Sequence, residues 1–226
     1  MQIAGFVPNS FVDYPGKIAA LVFAPGCNMN CWYCHNHHLL VRGADSVVYN
    51  PRSILADLER KKGFLDAVVL TGGEPTLQSG LGDFARAVKE MGYLVKLDTN
   101  GTRPDVIRAL HGEHLLDYIA MDIKAPFDKY ESVCRRRIDM DKVKESIALI
   151  MESGIDYEFR TTFSPDLTNE DIVKLASCIK GAKCYTLQQY RETELTQGRA
   201  PHPPAYVRDC AAQLEGYFDR LRVLGL

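Results

Sequence analysis

The sequence contains no apolar run near the roughly 18 residues that a membrane-spanning helix needs, so we expect no membrane contact. Its first 16 residues, MQIAGFVPNSFVDYPG, lack the charged and apolar regions of a secretory signal peptide. A surplus of one charge is also missing, because 27 Lys and Arg residues face 29 Asp and Glu residues. The one compact basic run, Arg135, Arg136 and Arg137, has the size of an ordinary solvated surface. We therefore expect a cytoplasmic protein that binds neither nucleic acid nor a membrane.

We do not expect a disulfide framework, since seven cysteines is an odd number in a chain without secretion signals. Four of them are scattered and are expected to be small buried residues: Cys134, Cys178, Cys184 and Cys210. The other three, Cys27, Cys31 and Cys34, lie together in the stretch CNMNCWYC.

Apolar, β-rich runs alternate with amphipathic stretches from residue 17 onward. Strands are predicted at 18–25, 67–73, 93–100, 118–124, 157–163 and 184–190. Helices are predicted near 51–62, 79–91, 103–111, 139–153, 168–180 and 204–222. This alternation predicts an α/β protein with a parallel sheet buried on both faces, either an open doubly wound sheet or a curved (β/α)6 partial barrel.

Either architecture places the carboxyl ends of its strands at one rim, where functional residues gather. We therefore predict a single domain over residues 1–226, with an N-terminal extension (1–16), a core (17–190) and a capping segment (191–226). Within that cap, Leu214, Phe218 and Leu221 fall on one helical face.

The three clustered thiols directly follow the first predicted strand. Their C-x3-C-x2-C spacing lets one loop wrap an iron–sulfur cluster and leaves one iron without a protein ligand. The alternative is structural zinc, with a histidine from His35, His37 or His38 as the fourth ligand.

Polar residues end the later strands. The TGGEP segment (71–75) carries two glycines that permit close backbone approach to a ligand. Asp98 and Asp122 end successive strands, and Lys124 and Arg160 lie at the same predicted rim. These four charges form either salt bridges inside a barrel mouth or a site for a zwitterion, such as an amino acid moiety beside an open iron.

These stretches carry a family resemblance. CNMNCWYC resembles the signature of the radical S-adenosylmethionine (SAM) enzymes. Together with SFVDYPGKIAALVFAPG, TGGEP, DTNG and MDIK, it is similar to the glycyl-radical-enzyme activating enzymes, over about residues 3–190. The closest types are the activators of anaerobic ribonucleotide reductase and of pyruvate formate-lyase. The resemblance implies a partial (β/α)6 TIM-like barrel of the radical SAM type.

The resemblance also implies roles for individual positions. Cys27, Cys31 and Cys34 would bind one [4Fe-4S] cluster, whose fourth iron SAM would chelate. The residues implied to contact SAM are Tyr33 at the adenine end, Gly72, Gly73 and Glu74 at the amino group, and Asp98, Lys124 and Arg160 at the polar part. A monovalent cation, Na⁺ or K⁺, would sit beside Asp98, Thr99, Asp122 and the carbonyl of Ala120.

The implied reaction is reductive cleavage of SAM to a 5′-deoxyadenosyl radical, which removes hydrogen from a glycine of a partner enzyme under anaerobic conditions. No side chain acts as acid or base, so no catalytic residue is assigned beyond the cofactors. The implied partners are a large glycyl radical enzyme, of the ribonucleotide reductase or formate-lyase type, and a flavodoxin or ferredoxin electron donor.

Two features of this sequence differ from those of some other activating enzymes. The last predicted strand is followed by Gln188-Gln189-Tyr190-Arg191, where some activating enzymes carry a histidine near SAM. The loop after Cys34 is short, so only one cluster is expected. Two alternatives remain: a radical SAM enzyme acting on a small molecule or peptide, and a zinc- or cluster-stabilised binding protein without catalysis.

Overall fold

The computed structural model describes residues 1–40 and 48–226. Its eight strands form one sheet, in which the order along the chain is also the order in space. The strands are β1 (Gly5–Tyr14), β2 (Lys17–Ala24), β3 (Ala67–Gly72), β4 (Leu94–Thr99), β5 (Tyr118–Asp122), β6 (Asp156–Phe163), β7 (Cys184–Gln189) and β8 (Arg220–Leu224). The helices are α1 (Pro51–Arg60), α2 (Leu81–Glu90), α3 (Pro104–Gly112), α4 (Tyr130–Cys134), α5 (Met140–Glu152), α6 (Asn169–Ser177) and α7 (Pro204–Gln213). The predicted α/β fold is confirmed, and β2–β7 are the six predicted strands.

The sheet is parallel from β2 to β8, and only β1 is antiparallel to its neighbour. It is strongly curved, as one aromatic contact shows. The rings of Tyr14 at the end of β1 and Tyr118 at the start of β5 lie 5.5 Å apart. In a flat sheet, four strand spacings would separate these strands by about 19 Å. Since no strand ladder joins β8 to β1 within the described ranges, the sheet is an open, partial barrel.

Both faces of the sheet are buried, as parallel strands between helices require. Alternate residues of β2 separate the two faces: Ala20 and Val22 join the large core under the helices, whereas Ala19 and Leu21 face the barrel interior. The apolar part of that interior is small and comprises Tyr14, Ala19, Leu21, Ala67, Val69, Tyr118 and Ala120. The remainder of the interior, towards β4, β6 and β8, carries charged side chains.

Helix starts follow the local sequence. Pro51 and Pro104 occupy first-turn positions of α1 and α3, and the Asn50 side chain caps α1. Thr168 and Asp171 form the predicted capping box of α6, with each side chain accepting a hydrogen bond from the other's backbone N–H. The helices return the chain to the sheet in the same sense each time, so that the carboxyl ends of β2–β8 meet at one rim.

The predicted helix at 204–222 is wrong in its second half. Helix α7 ends at Gln213, and Gly216 then adopts a left-handed φ of 77°. The chain continues as β8, which extends the sheet beside β7. The alternation Arg-Leu-Arg-Val-Leu places Arg222 beside the buried Glu158, 3.5 Å from its Oε2. A strand explains that pattern better than a helix, because alternate residues share one face.

Two further expectations concern the periphery. The prediction of a short loop after Cys34 falls in part on residues 41–47, which lie outside the described residues. Every helix within residues 1–40 and 48–226 is too short or too polar to cross a lipid bilayer.

Candidate active site

The three clustered cysteines lie in the loop that follows β2. Cys31 is buried, and Cys27 and Cys34 are half-buried. The loop is tightly folded, because the backbone N–H of Cys34 donates to the carbonyl of Cys31 at 3.1 Å. The Cys27 sulfur accepts hydrogen bonds from the backbone of Met29 at 3.4 Å and from the Asn100 side chain at 3.7 Å. All three thiols line the same cavity.

The protonation of these thiols differs with their surroundings. Burial raises the pKa of Cys27 to about 11 and also raises the pKa of Cys34. A hydrogen bond from the Cys134 side chain, with help from the charge of Lys124, lowers the pKa of Cys31 to about 7 despite its burial. A low thiol pKa beside a cation is typical of reactive and metal-binding cysteines.

Cys134 was predicted to be only a small buried residue. It is buried, yet it lies against Cys31, and its carbonyl accepts the backbone N–H of Asn30 at 2.9 Å. Nothing in its isolated sequence position could indicate this contact. Cys184 and Cys210 are buried as predicted, whereas Cys178 is exposed at the end of α6.

The TGGEP segment holds the cysteine loop in place. The backbone N–H groups of Gly73 and Glu74 donate to the carbonyls of Ala24 and Gly26, both at 2.8 Å. A Cβ atom on Gly73 would lie 1.9 Å from the Gly26 carbonyl oxygen. These glycines therefore allow the end of β3 to approach the backbone immediately before Cys27.

The Glu74 side chain is buried in a network of its own. Its carboxylate accepts hydrogen bonds from Thr76 N at 3.1 Å, Thr99 Oγ1 at 2.8 Å and Asn100 N at 2.7 Å. Burial raises the pKa of this carboxyl above its ordinary value, and the hydrogen bonds partly offset that rise. Because the carboxylate is occupied by these donors, a ligand contact from this residue would come from its backbone.

Beyond the cysteines, five charged side chains form a row of alternating sign across the barrel interior, which we call the charge row. Lys96 Nζ lies 3.0 Å from Asp98 Oδ1, and Arg160 Nη1 lies 3.5 Å from the same oxygen. Arg160 Nε then contacts Asp122 Oδ1 at 2.8 Å, and Lys124 Nζ contacts Asp122 Oδ2 at 3.0 Å. The salt bridges predicted at the mouth are therefore present.

Burial acts against the charges of Asp122, Lys124 and Arg160, but their neighbouring charges outweigh it. Burial alone would raise the pKa of Asp122, yet Arg160 and Lys124 hold that pKa well below its ordinary value. Asp122 in turn raises the pKa of both Lys124 and Arg160 despite their burial. Asp122, Lys124 and Arg160 therefore stay ionised at neutral pH.

Lys96 was missed by the sequence analysis, although its position two residues before Asp98 on β4 places both on one face. Its side chain is 3% exposed, and Nζ also donates to the carbonyl of Asp13 at 2.6 Å.

Replacing Lys96 by methionine is expected to destabilise the protein by about 3 kcal/mol, because Asp98 loses its nearest cation inside the barrel. Urea unfolding, followed by circular dichroism, measures the loss. Lys144→Met is the matched control, because the Lys144–Asp141 pair is solvent-exposed and should contribute less than about 1 kcal/mol. Equal losses in the two variants would contradict a structural role for the charge row.

The thiols, the glycines and four of the five members of the charge row, all except Lys96, surround a single cavity of about 210 Å³. Every residue predicted to hold a cluster or SAM lines this cavity: Cys27, Cys31, Cys34, Tyr33, Gly72, Gly73, Glu74, Asp98, Thr99, Asp122, Lys124 and Arg160. The wall also includes Asn100, Thr162 and Gln188. No three His, Cys, Asp or Glu side chains among the described residues converge closely enough for one metal ion.

Comparison with known proteins assigns the family. The model of the radical SAM superfamily matches residues 21–179, from β2 to the end of α6. The chain belongs to the radical SAM superfamily. This family implies a [4Fe-4S] cluster and SAM, and two observations fit them. Three soft thiol ligands face one cavity, and the buried Tyr33 hydroxyl in its wall has no hydrogen-bond partner among the described residues.

Two relatives in sequence differ in the reactions for which they are named. A Methanocaldococcus jannaschii protein, named provisionally as a glycyl-radical enzyme activating enzyme, is 39% identical over 194 residues, covering 83% of this chain and 79% of that protein. A 7-carboxy-7-deazaguanine synthase of Thermococcus kodakarensis is 25% identical over 207 residues, covering 81% of this chain and 79% of that protein.

Solved structures share the radical SAM fold at low identity. Streptococcus suis SuiB bound to S-adenosylmethionine matches with a TM-score of 0.67 and 15% identity, over 91% of this chain and 52% of that one. This chain thus spans about half of SuiB. Escherichia coli QueE matches with a TM-score of 0.57 and 14% identity, over 100% of this chain and 94% of that one.

Proposed function

We propose that this protein is a radical SAM activating enzyme that installs a glycyl radical on a large partner enzyme of the ribonucleotide reductase or formate-lyase type. It would act as one domain in the cytoplasm, without oxygen, and receive electrons from a flavodoxin or ferredoxin. The observation that carries the proposal is the 39% identity to the M. jannaschii protein over most of both chains. The seven free cysteines agree with a reducing compartment.

Within this proposal, Cys27, Cys31 and Cys34 hold one [4Fe-4S] cluster, which supplies the electron that cleaves SAM. The rest of the work is binding and orientation. The backbone of Gly72, Gly73 and Glu74 would bind the amino group of SAM, and Tyr33 would contact its adenine end.

The charge row fixes the polar end of SAM. We assign this role to Lys124 and Asp98, with Arg160 holding both aspartates in position. The monovalent cation stays a prediction. At its predicted position it would compete with Arg160 and Lys124 for the oxygens of Asp122.

The test uses cluster-loaded protein under nitrogen, with SAM, a reductant and a purified partner, either an anaerobic ribonucleotide reductase or a pyruvate formate-lyase. We expect 5′-deoxyadenosine in the assay and a glycyl doublet in the EPR spectrum of one partner. The matched control is the same partner with its radical-forming glycine replaced by alanine, which should show no doublet. Cleavage of SAM without a doublet on any glycyl radical enzyme would contradict the proposal.

The second candidate is a radical SAM enzyme acting on a small molecule. It is favoured by the similarity to the T. kodakarensis 7-carboxy-7-deazaguanine synthase over 81% of this chain. This candidate predicts that 5′-deoxyadenosine formation is stimulated by a small heterocyclic substrate and not by a glycyl radical enzyme.

A further inference from the structure

The basic run Arg135, Arg136 and Arg137 lies in the loop between α4 and α5, and we call it the arginine surface. All three side chains are exposed, and none forms an ion pair with an acid in the part of the chain that the structure describes. Of the nearby acids, Asp139 caps the backbone of α5 and Asp141 pairs with Lys144, whereas Glu131 of α4 is exposed and has no ion-pair partner among the described residues. The arginine surface therefore carries net positive charge, because its three guanidinium groups outnumber the carboxylates of Glu131 and Asp139.

This surface adjoins the cysteine loop through a direct connection. Arg135 follows Cys134, whose carbonyl binds Asn30 N–H at 2.9 Å and whose thiol lies against Cys31. Arg135 has a left-handed φ of 50°, which ends α4 and turns the chain outward. Arg135 is thus one residue along the chain from the side chain that contacts Cys31.

We propose that the arginine surface docks an acidic one-electron carrier protein of the flavodoxin or ferredoxin class. The carrier is oxidised by one electron and the cluster held by the three cysteines is reduced by one, with no bond formed or broken and no proton moved. The proposal rests on the cluster site of the proposed function but not on a glycyl radical partner. Complementary charge of this kind accelerates association and weakens as salt rises.

The decisive variant reverses all three charges, as Arg135→Glu, Arg136→Glu and Arg137→Glu in one chain. The matched control reverses three exposed cations elsewhere that have no ion pair among the described residues, Lys17→Glu, Lys180→Glu and Arg208→Glu. Both triple variants change the net charge equally, so a difference between them reports position.

Cluster reduction is followed by stopped-flow absorbance under nitrogen, without SAM. The reductants are reduced flavodoxin, reduced ferredoxin and photoreduced deazariboflavin, which is small and uncharged. We expect the carrier-driven rate constant at low salt to fall about tenfold or more in the arginine variant and to lose its salt dependence. The control triple variant should stay within about twofold of the original protein, and deazariboflavin should reduce all three proteins equally.

A second measurement is independent of electron transfer. Titration calorimetry of the oxidised carrier into cluster-loaded protein should show binding that the arginine variant weakens and the control variant retains. Iron content verifies that each variant carries its cluster, and Arg→Gln replacements at the same positions serve if the Glu variant does not load. Equal rates in all three proteins, equal losses in both triple variants, or no reduction of the original protein by either carrier would overturn the proposal.

Discussion

Replacing Cys31 by alanine is expected to abolish 5′-deoxyadenosine formation. Cys31 is the most buried of the three clustered thiols, and it is the one whose pKa is lowered towards neutrality. Loss of residues that merely support metal ligands costs 10- to 100-fold, so loss of a ligand should exceed about 100-fold. Anaerobic reconstitution, with iron and sulfide analysis and chromatography of the nucleoside product, measures both cluster content and activity.

The control for this experiment is Cys178→Ala. Cys178 is exposed at the end of α6, and the cavity wall does not include it. Deoxyadenosine formation should therefore stay near that of the original protein. If both variants lost activity equally, the assignment of the cluster to the loop after β2 would fail.

The second large effect is expected from adding one methyl group at Gly73. The new Cβ would lie 1.9 Å from the Gly26 carbonyl oxygen and 2.7 Å from its carbonyl carbon. Both atoms belong to the backbone, so neither can turn aside as a side chain would. We expect Gly73→Ala to displace the cysteine loop, to cost about 3 kcal/mol in the free energy of unfolding and to prevent cluster loading. Urea unfolding and iron content measure the two effects.

Gly112→Ala is the matched control for that variant. Gly112 ends α3 with ordinary helical φ, and no atom lies within 4 Å of the Cβ it would gain. The change should leave cluster loading intact and alter stability by less than about 1 kcal/mol. Normal cluster loading in Gly73→Ala would show that the loop does not depend on close contact with the end of β3.

Most of the fold could be predicted from periodicity, because strands β2–β7 are apolar runs between amphipathic helices. The chain ends were harder. β8 was mistaken for helix because Leu214, Phe218 and Leu221 fit a helical spacing over a short window. The deciding contact, between Arg222 and Glu158, joins residues 64 positions apart. Strand β1 was likewise assigned to an N-terminal extension. It pairs antiparallel with β2 and lies outside the alternation of strands and helices on which the prediction depended.

The charged part of the candidate site could be predicted because its residues lie at the ends of predicted strands. Since parallel strands end at one rim, the sequence predicted that four charged residues lie together there: Asp98, Asp122, Lys124 and Arg160. Cys134 and Asn100 were not assigned a role, since each meets the cysteine loop through folding of distant segments. Contacts of this kind cannot be predicted from the local sequence.

The charge row contains more cations than carboxylates. It starts and ends with a cation, at Lys96 and Lys124, and holds three positive side chains against two carboxylates. An odd row of this kind cannot neutralise itself. Lys96 at the inner end donates to the Asp13 carbonyl, whereas Lys124 at the other end lies in the cavity wall beside the three thiols. Lys124 therefore stabilises negative charge in the cavity, whether on the cysteine loop or on a bound carboxylate.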